Sequence, residues 1–196
     1  MTIYAEVKHD VGQEVWAAFP LLKQTLALIR IAHDGQTYNS LPYWHHPVRV
    51  MLRFGWANVL ASDIYAALLH DVLEDTSITV SDLRTFGYDN DCINLVETVT
   101  RDKDEDSYKD FIGKVMATGN PRAWRLKLAD LNENLNNVRF LPPEKKTIAI
   151  RYGKSIRDLE SCFTGRYSDH DKFPVISGEL NHSEVKRWIG EQPQFV

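Results

Sequence analysis

The sequence predicts an all-α fold, a single-domain bundle of helices. Three observations predict it. Apolar residues recur at helical spacing in segment after segment, as at Leu22, Leu26 and Ile29 and again at Trp124, Leu128, Leu131 and Leu135. Gly35, Gly87, Gly119 and the Pro142-Pro143 pair separate these segments with short polar joints. No stretch alternates convincingly at period two, and there is no internal repeat or low-complexity run.

Residues 1–14 read as an extended arm, and Trp16 and Phe19 begin the apolar pattern. A helix is expected over 21–33, stopped by Gly35, with a polar loop over 36–41. His45-His46-Pro47 opens the next helix, Pro47 in the favoured first turn, and Gly55 closes it. The central helix follows, capped by Ser62 or Asp63, with a turn over 76–79. Ser81 is expected to cap a short helix ended by Gly87, and another helix covers 92–99. Ser107 and Asp110 form a capping pair for a helix to about residue 117. Asn120-Pro121 caps the long apolar helix that carries Leu126 to Val138. A further helix covers 144–163, then a loop over 164–180, and a last short helix over 183–189.

A chain of 196 residues is long enough for one well-buried core. Its 43% hydrophobic and 26% charged residues are ordinary for a globular protein. Net charge −4 and a pI near 6.0 give no global basic field. Indiscriminate nucleic-acid binding is thereby disfavoured, and an anionic substrate would need a local basic patch. Cys92 and Cys162 stand in no metal-ligand spacing and suit a reducing compartment. Residues 1–10 do not read as a signal peptide, and no apolar run approaches the roughly 20 residues of a membrane span. A cytoplasmic location without membrane contact is the expectation, and nothing in the sequence indicates an oligomer.

The stretch from Ala66 to Thr76 concentrates the chemistry. An apolar run leads into His70, Asp71, Glu74 and Asp75. On one continuous helix, His70 and Glu74 stand a turn apart, as do Asp71 and Asp75. Three carboxylates emerging from an apolar run repel one another, and burial disfavours their ionised form unless a cation compensates. The plain alternative is an amphipathic helix with a solvated acidic end.

Other candidates lie far off in the chain. His45 and His46 both precede a helix, and Pro47 fixes the geometry after His46, which favours His46. Asp130 sits in a very apolar helix and needs a salt bridge, a cap or a metal. Asn134 is one turn later on the same face. Together His46, His70, Asp71 and Asp130 offer nitrogen and oxygen ligands suited to Mn²⁺, Fe²⁺, Zn²⁺ or Co²⁺ more than to Ca²⁺. Glu74 and Asp75 can position a water or shuttle its proton. Lys103 is a candidate phosphate contact. Lys127, Arg139, Lys145, Lys146 and Arg151 read as solvated charges, and Asp169-His170-Asp171 as an exposed loop.

The order His46, His70-Asp71, Asp130 on a helical scaffold resembles the HD superfamily of metal-dependent phosphohydrolases. It is most similar to the hydrolase domain of RelA/SpoT-type enzymes and to the small alarmone hydrolases. Ala32 to Gln36 with Pro42 to Pro47, Ala66 to Thr76, Val99 to Lys103, and Leu126 to Asp130 with Asn134 carry the resemblance, over about residues 21–160. It implies a helical bundle of the HD-domain type, with 164–196 as a C-terminal extension. It implies that His46, His70, Asp71 and Asp130 hold one Mn²⁺ and that Glu74 and Asp75 serve the attacking water. Tyr43, Lys103, Asn134, Arg151 and Tyr152 would contact a small nucleotide. The implied reaction removes the 3′-pyrophosphate from (p)ppGpp, and the chain has no room for the synthetase domain of the long enzymes. Two positions depart from the family. Tyr38 stands where an arginine is usual near the guanine, and Leu131 replaces a basic residue after the last metal-ligand aspartate. These favour a second reading, an HD phosphohydrolase acting on ppApp, a nucleoside phosphate or NADPH. A third reading, a nucleotide-binding module without catalysis, is opposed by the intact Glu74-Asp75 pair.

Overall fold

The computed structural model describes residues 20–54, 60–138, 143–145 and 147–163. The expected arm, the C-terminal loop and last helix, Gly55, Arg139, Pro142, Lys146 and the Asp169-His170-Asp171 loop lie outside them.

The elements run α1 (Pro20–Ala32), β1 (Thr37–Tyr38), β2 (Leu41–Pro42), α2 (His45–Phe54), α3 (Ala61–Leu69), α4 (Val72–Asp75), α5 (Val80–Thr85), α6 (Asn90–Val99), α7 (Tyr108–Ala117), α8 (Pro121–Asn137), a 3-10 turn (Pro143–Lys145) and α9 (Ile148–Phe163). The helical architecture is the one the periodicity predicts. The hairpin is not foreseen. Its two strands are antiparallel, pairing Thr37 with Pro42 and Tyr38 with Leu41. Asn39 and Ser40 both take positive φ, 51° and 64°, as a tight two-residue hairpin turn requires.

Local chemistry sets the helix ends. Thr79 and Asp82 cap α5 reciprocally, so the helix begins before Ser81, the expected cap. Asp89 accepts from the Cys92 amide at α6, Ser107 from Asp110 at α7, and Asn120 from Arg122 at α8. At α3 the N-cap is Leu60, whose amide donates to the Asp63 carboxylate at 2.9 Å; neither Ser62 nor Asp63 is the cap itself. Glu144 does not open the last helix. The tight turn at Pro143–Lys145 takes up that segment, and α9 starts at Ile148.

The central helix is not continuous. α3 stops at Leu69, Asp71 adopts φ −103° and ψ −7°, and α4 restarts at Val72. The amides of Glu74 and Asp75 both donate to the Asp71 carbonyl, at 3.2 and 2.9 Å, which begins a new turn. Neighbours on an unbroken helix project about 100° apart. The break lets the adjacent side chains of His70 and Asp71 converge.

α8 organises the rest. It packs against α2, α3, α6, α7 and α9. Its Ala123, Leu126 and Ala129 join one buried cluster with α1, α2, α3 and α6, where Ala66, Ala67, Leu68 and Leu69 are wholly buried. Its Trp124 and Leu131 join a second, with Phe111, Val115, Ile156, Leu159 and Phe163 from α7 and α9. Between these faces runs a polar stripe, Lys127, Asp130, Asn134 and Asn137, at the i, i+3, i+7, i+10 spacing of one helix side. Leu131 flanks that stripe and is wholly buried in the second cluster.

Candidate metal centre and the cleft beside it

Three separate parts of the chain converge here. His46 comes from the first turn of α2, His70 and Asp71 from the break after α3, and Asp130 from the stripe on α8. One ligand atom each from His46, His70 and Asp130 lies within 4.8 Å of the others, and all three residues are buried. Asp71 completes the group. Its Oδ2 is 3.0 Å from His70 Nε2 and 3.5 Å from His46 Nε2. Asp130 Oδ1 is 3.3 Å from His46 Nε2 and 3.7 Å from His70 Nε2. Ligands bonded at about 2.1 Å to one ion sit about 3.0 to 3.4 Å apart. The observed separations are close to that range. His45 is elsewhere, stacked on Trp44 at 3.9 Å between ring centres, so the choice between the two histidines falls on His46.

The donor chemistry fits a cation. His70 Nδ1 lies 2.8 Å from the Ala67 carbonyl, which can only accept, so Nδ1 carries a proton. That leaves the buried Nε2 facing the two carboxylates with no hydrogen-bond partner. A bare lone pair beside two anions is unfavourable; a metal or a second proton relieves it. Burial opposes charge on His70, yet Asp71 and Asp130 outweigh it and hold its pKa up to about 10. Burial likewise opposes charge on Asp71, but His70 and His46 keep it ionised. The site calls for positive charge, and two imidazoles with two carboxylates suit a borderline divalent ion.

His70, Asp71 and Asp130 each have a supporting partner, while the buried Nδ1 of His46 has none among the described residues. Tyr43 donates to Asp71 Oδ2 at 2.7 Å and approaches Asp75 Oδ2 at 3.4 Å. Burial, then the Asp71 charge, pushes its pKa up, so it stays a donor. His33 stacks on Tyr43 at 4.6 Å and meets the Gln36 carbonyl oxygen through Nδ1, while the Gln36 amide donates to the Asp75 carbonyl. Asp130 Oδ2 accepts from Lys127 Nζ at 2.7 Å. Burial opposes charge on both partners, and their mutual attraction keeps both charged.

Glu74 and Asp75 stand at the rim. Glu74 accepts from the Arg101 amide at 3.1 Å and faces Lys103 Nζ at 3.3 Å, which is 2.5 Å from Asp75. Lys103 is half exposed, and the hydrogen bond to Asp75 raises its pKa.

A cavity of about 290 Å³ opens over the group. Tyr43, Glu74, Asp75, Asn134, Arg151 and Tyr152 line it, together with Arg101, Tyr108, Phe111 and Lys127; Lys103, the other expected substrate contact, is not among the lining residues. The solvated reading of Lys127 is therefore corrected: Lys127 is only 7% exposed and bonded to Asp130. Arg151 is exposed, with its guanidinium over the Tyr108 ring at 4.4 Å. The i, i+3 spacing of Lys127 and Asp130 was the available signal for the first; Arg101 shares a loop with Lys103. A larger cavity, about 540 Å³, adjoins through Asn134, Arg151 and Tyr152 and is walled by Tyr38, Asn39, Asn137, Lys145, Thr147 and Ile148. Three cations, Arg101, Lys127 and Arg151, line the cavity beside the carboxylates of Asp71, Glu74, Asp75 and Asp130.

No family model matches the chain. Curated relatives do. The bifunctional (p)ppGpp synthase/hydrolase SpoT of Escherichia coli is 35% identical over 134 residues, 64% of this chain and 19% of that protein. A guanosine-3′,5′-bis(diphosphate) 3′-pyrophosphohydrolase of Vibrio cholerae is 34% identical over 148 residues, 70% of this chain and 21% of its own. A probable enzyme of the same name from Mycoplasma pneumoniae is 31% identical over 188 residues, 85% of this chain and 25% of its own. The chain thus spans about a fifth to a quarter of the length of these relatives. Among solved structures, a metazoan ortholog of SpoT described as hydrolysing ppGpp superposes with a TM-score of 0.62 at 24% identity, covering 85% of this chain and 94% of its own. A Listeria monocytogenes protein superposes at 0.56, also at 24% identity, over 76% and 96%. These likenesses establish the fold. In sequence the chain is thus similar to part of the SpoT-type (p)ppGpp pyrophosphohydrolases, and in fold to a metazoan SpoT ortholog.

Proposed function

We propose that the chain is a divalent-metal-dependent hydrolase that removes the 3′-pyrophosphate from (p)ppGpp, giving GDP or GTP and pyrophosphate. The observation that carries the reading is the meeting of two imidazoles and two carboxylates beneath a cavity whose wall holds three cations. His46, His70, Asp71 and Asp130 hold one ion in this reading, Mn²⁺ first, with Fe²⁺, Co²⁺ or Zn²⁺ as alternatives. When bound, such an ion polarises a phosphoryl oxygen and acidifies water. The protein's own groups do the rest. Glu74 and Asp75 orient the attacking water and take its proton, while Tyr43 holds Asp71 in place. Water adds to the phosphorus next to the ribose, the bond from that phosphorus to O3′ breaks, and O3′ ends protonated. Arg101, Lys103, Lys127 and Arg151 meet the phosphate charge, and Tyr152 with the larger cavity takes the nucleoside. The whole chain is read as one hydrolase domain with 164–196 as an extension, acting on a small nucleotide in the cytoplasm.

One observation favours a second reading. Tyr38 brings no charge to the larger cavity, and its hydroxyl is already bonded to Asn134. Guanine is then not singled out by an arginine, and ppApp, another nucleoside phosphate or NADPH becomes a rival substrate. Incubating the Mn²⁺-loaded protein with ppGpp, pppGpp, ppApp and NADPH and identifying products separates them. Pyrophosphate with GDP or GTP is expected. Release of free phosphate, or turnover of NADPH or ppApp alone, moves the chain to the second reading. Tight binding without turnover in any metal points to a non-catalytic module.

A further inference from the structure

The residue that departs from the family is wired into the metal centre. The Tyr38 hydroxyl donates to Asn134 Oδ1 at 2.7 Å, and Asn134 Nδ2 donates to Asp130 Oδ1 at 2.6 Å. Only one orientation of the amide serves both contacts. Turned over, Asn134 would set its carbonyl oxygen against the Asp130 carboxylate, two acceptors face to face. Tyr38 therefore fixes the amide, and the amide fixes Asp130. The bond falls on Oδ1, the oxygen that faces His46 and His70, while Lys127 holds Oδ2. The Tyr38 ring also lies 4.7 Å from the His46 ring, tilted by 44°. One side chain thus touches one imidazole of the group directly and one carboxylate through a single amide, while its ring forms a wall of the larger cavity. With both polar ends of Asn134 engaged, this asparagine serves the centre before it serves a substrate.

We propose that Tyr38 is a positioning residue for the metal centre, acting through Asn134 to present a single oxygen of Asp130 to the ion. The proposal rests on the reading of His46, His70, Asp71 and Asp130 as ligands. It assigns Tyr38 to the centre rather than to base recognition.

The test needs no substrate. Co²⁺ is titrated into the full chain and into Tyr38→Phe, Asn134→Ala and the double variant, followed by calorimetry and by the visible absorption of the bound ion. Tyr38→Phe keeps the ring and loses only the hydroxyl. Its circular dichroism should match the parent. Its Co²⁺ affinity should fall roughly three- to tenfold, the worth of about one hydrogen bond, and its absorption bands should shift. The double variant should bind like Asn134→Ala alone, because both changes cut one relay. With substrate, kcat should fall more than KM rises. An unchanged affinity and spectrum in Tyr38→Phe, with a raised KM alone, would overturn the proposal and make Tyr38 a base-stacking wall. Fully additive losses in the double variant would overturn the route through Asn134. If the parent protein binds no divalent ion, the proposed function falls first and this assignment with it.

Discussion

His70 is where the charge balance of the site turns. Its Nδ1 is committed to the Ala67 carbonyl, so only Nε2 can change state. In metal-free protein its pKa is raised from 6.5 to about 10 by Asp71 and Asp130 against the opposing effect of burial. The imidazolium therefore stabilises the fold fully below pH about 6.5, and that contribution is lost as pH rises through about 10. A metal must displace this proton. Divalent affinity should then rise by up to about tenfold per pH unit between roughly 7 and 9, read by competition with a chelator of known pH dependence. Two substitutions separate ligand from proton handler. Asp71→Asn should weaken metal binding well beyond the roughly 10- to 100-fold cost of losing an outer-shell partner, with the helical circular dichroism retained. Glu74→Gln should bind the ion as before and lose about 100-fold or more in kcat. Unchanged turnover in either variant assigns that role elsewhere.

At the scale of elements, the site depends on how α2, α3 and α8 are held together. Two ion-pair clusters do this away from the metal. Glu133 on α8 meets Arg53 Nε at 2.6 Å and Arg49 at 3.6 Å, joining α8 to the helix that bears His46. Asp63 on α3 meets Arg122 Nε at 2.6 Å, and the same guanidinium reaches Asp91 and Ser62. Arg122→Ala removes the ion-pair partner of the Asp63 carboxylate, which is 2% exposed, and leaves it the Leu60 amide. Because Arg122 itself keeps 27% exposure, the loss should lie at or just below the low end of the range for buried pairs, about 2 to 3 kcal/mol, measurable by urea unfolding. The sequence makes most elements legible because apolar spacing and caps such as Ser107 and Asn120 are local signals. The break at His70-Asp71 has no such signal. No glycine or proline marks it, and the two adjacent side chains turn toward partners far off in the chain, Asp71 toward His46, 25 residues away, and His70 toward Asp130, 60 residues away. The hairpin escapes for a different reason: its strands are two residues each, and its turn is Asn39-Ser40 without a glycine. The grouping of His46, His70, Asp71 and Asp130 is legible through motif order. Its supports, Lys127, Gln36 and the Tyr38–Asn134 relay, become visible only with distances.

Over the whole molecule, α8 divides two buried clusters, and its polar stripe opens where they meet. The group of His46, His70, Asp71 and Asp130 therefore lies where both halves of the described core meet, and an ion bound there would stabilise both. At about 100 times its dissociation constant an ion adds about 2.7 kcal/mol. For a chain of this size that should raise Tm by roughly 5 to 10 °C, and a chelator should reverse it. No described helix is long and apolar enough to cross a membrane. The most direct measurement is a crystal structure of the Mn²⁺-loaded protein with anomalous scattering recorded at the manganese edge. The account expects one anomalous peak per chain, within about 2.0 to 2.3 Å of His46, His70, Asp71 and Asp130 together. A peak elsewhere, or one that leaves any of these four out of reach, would contradict it.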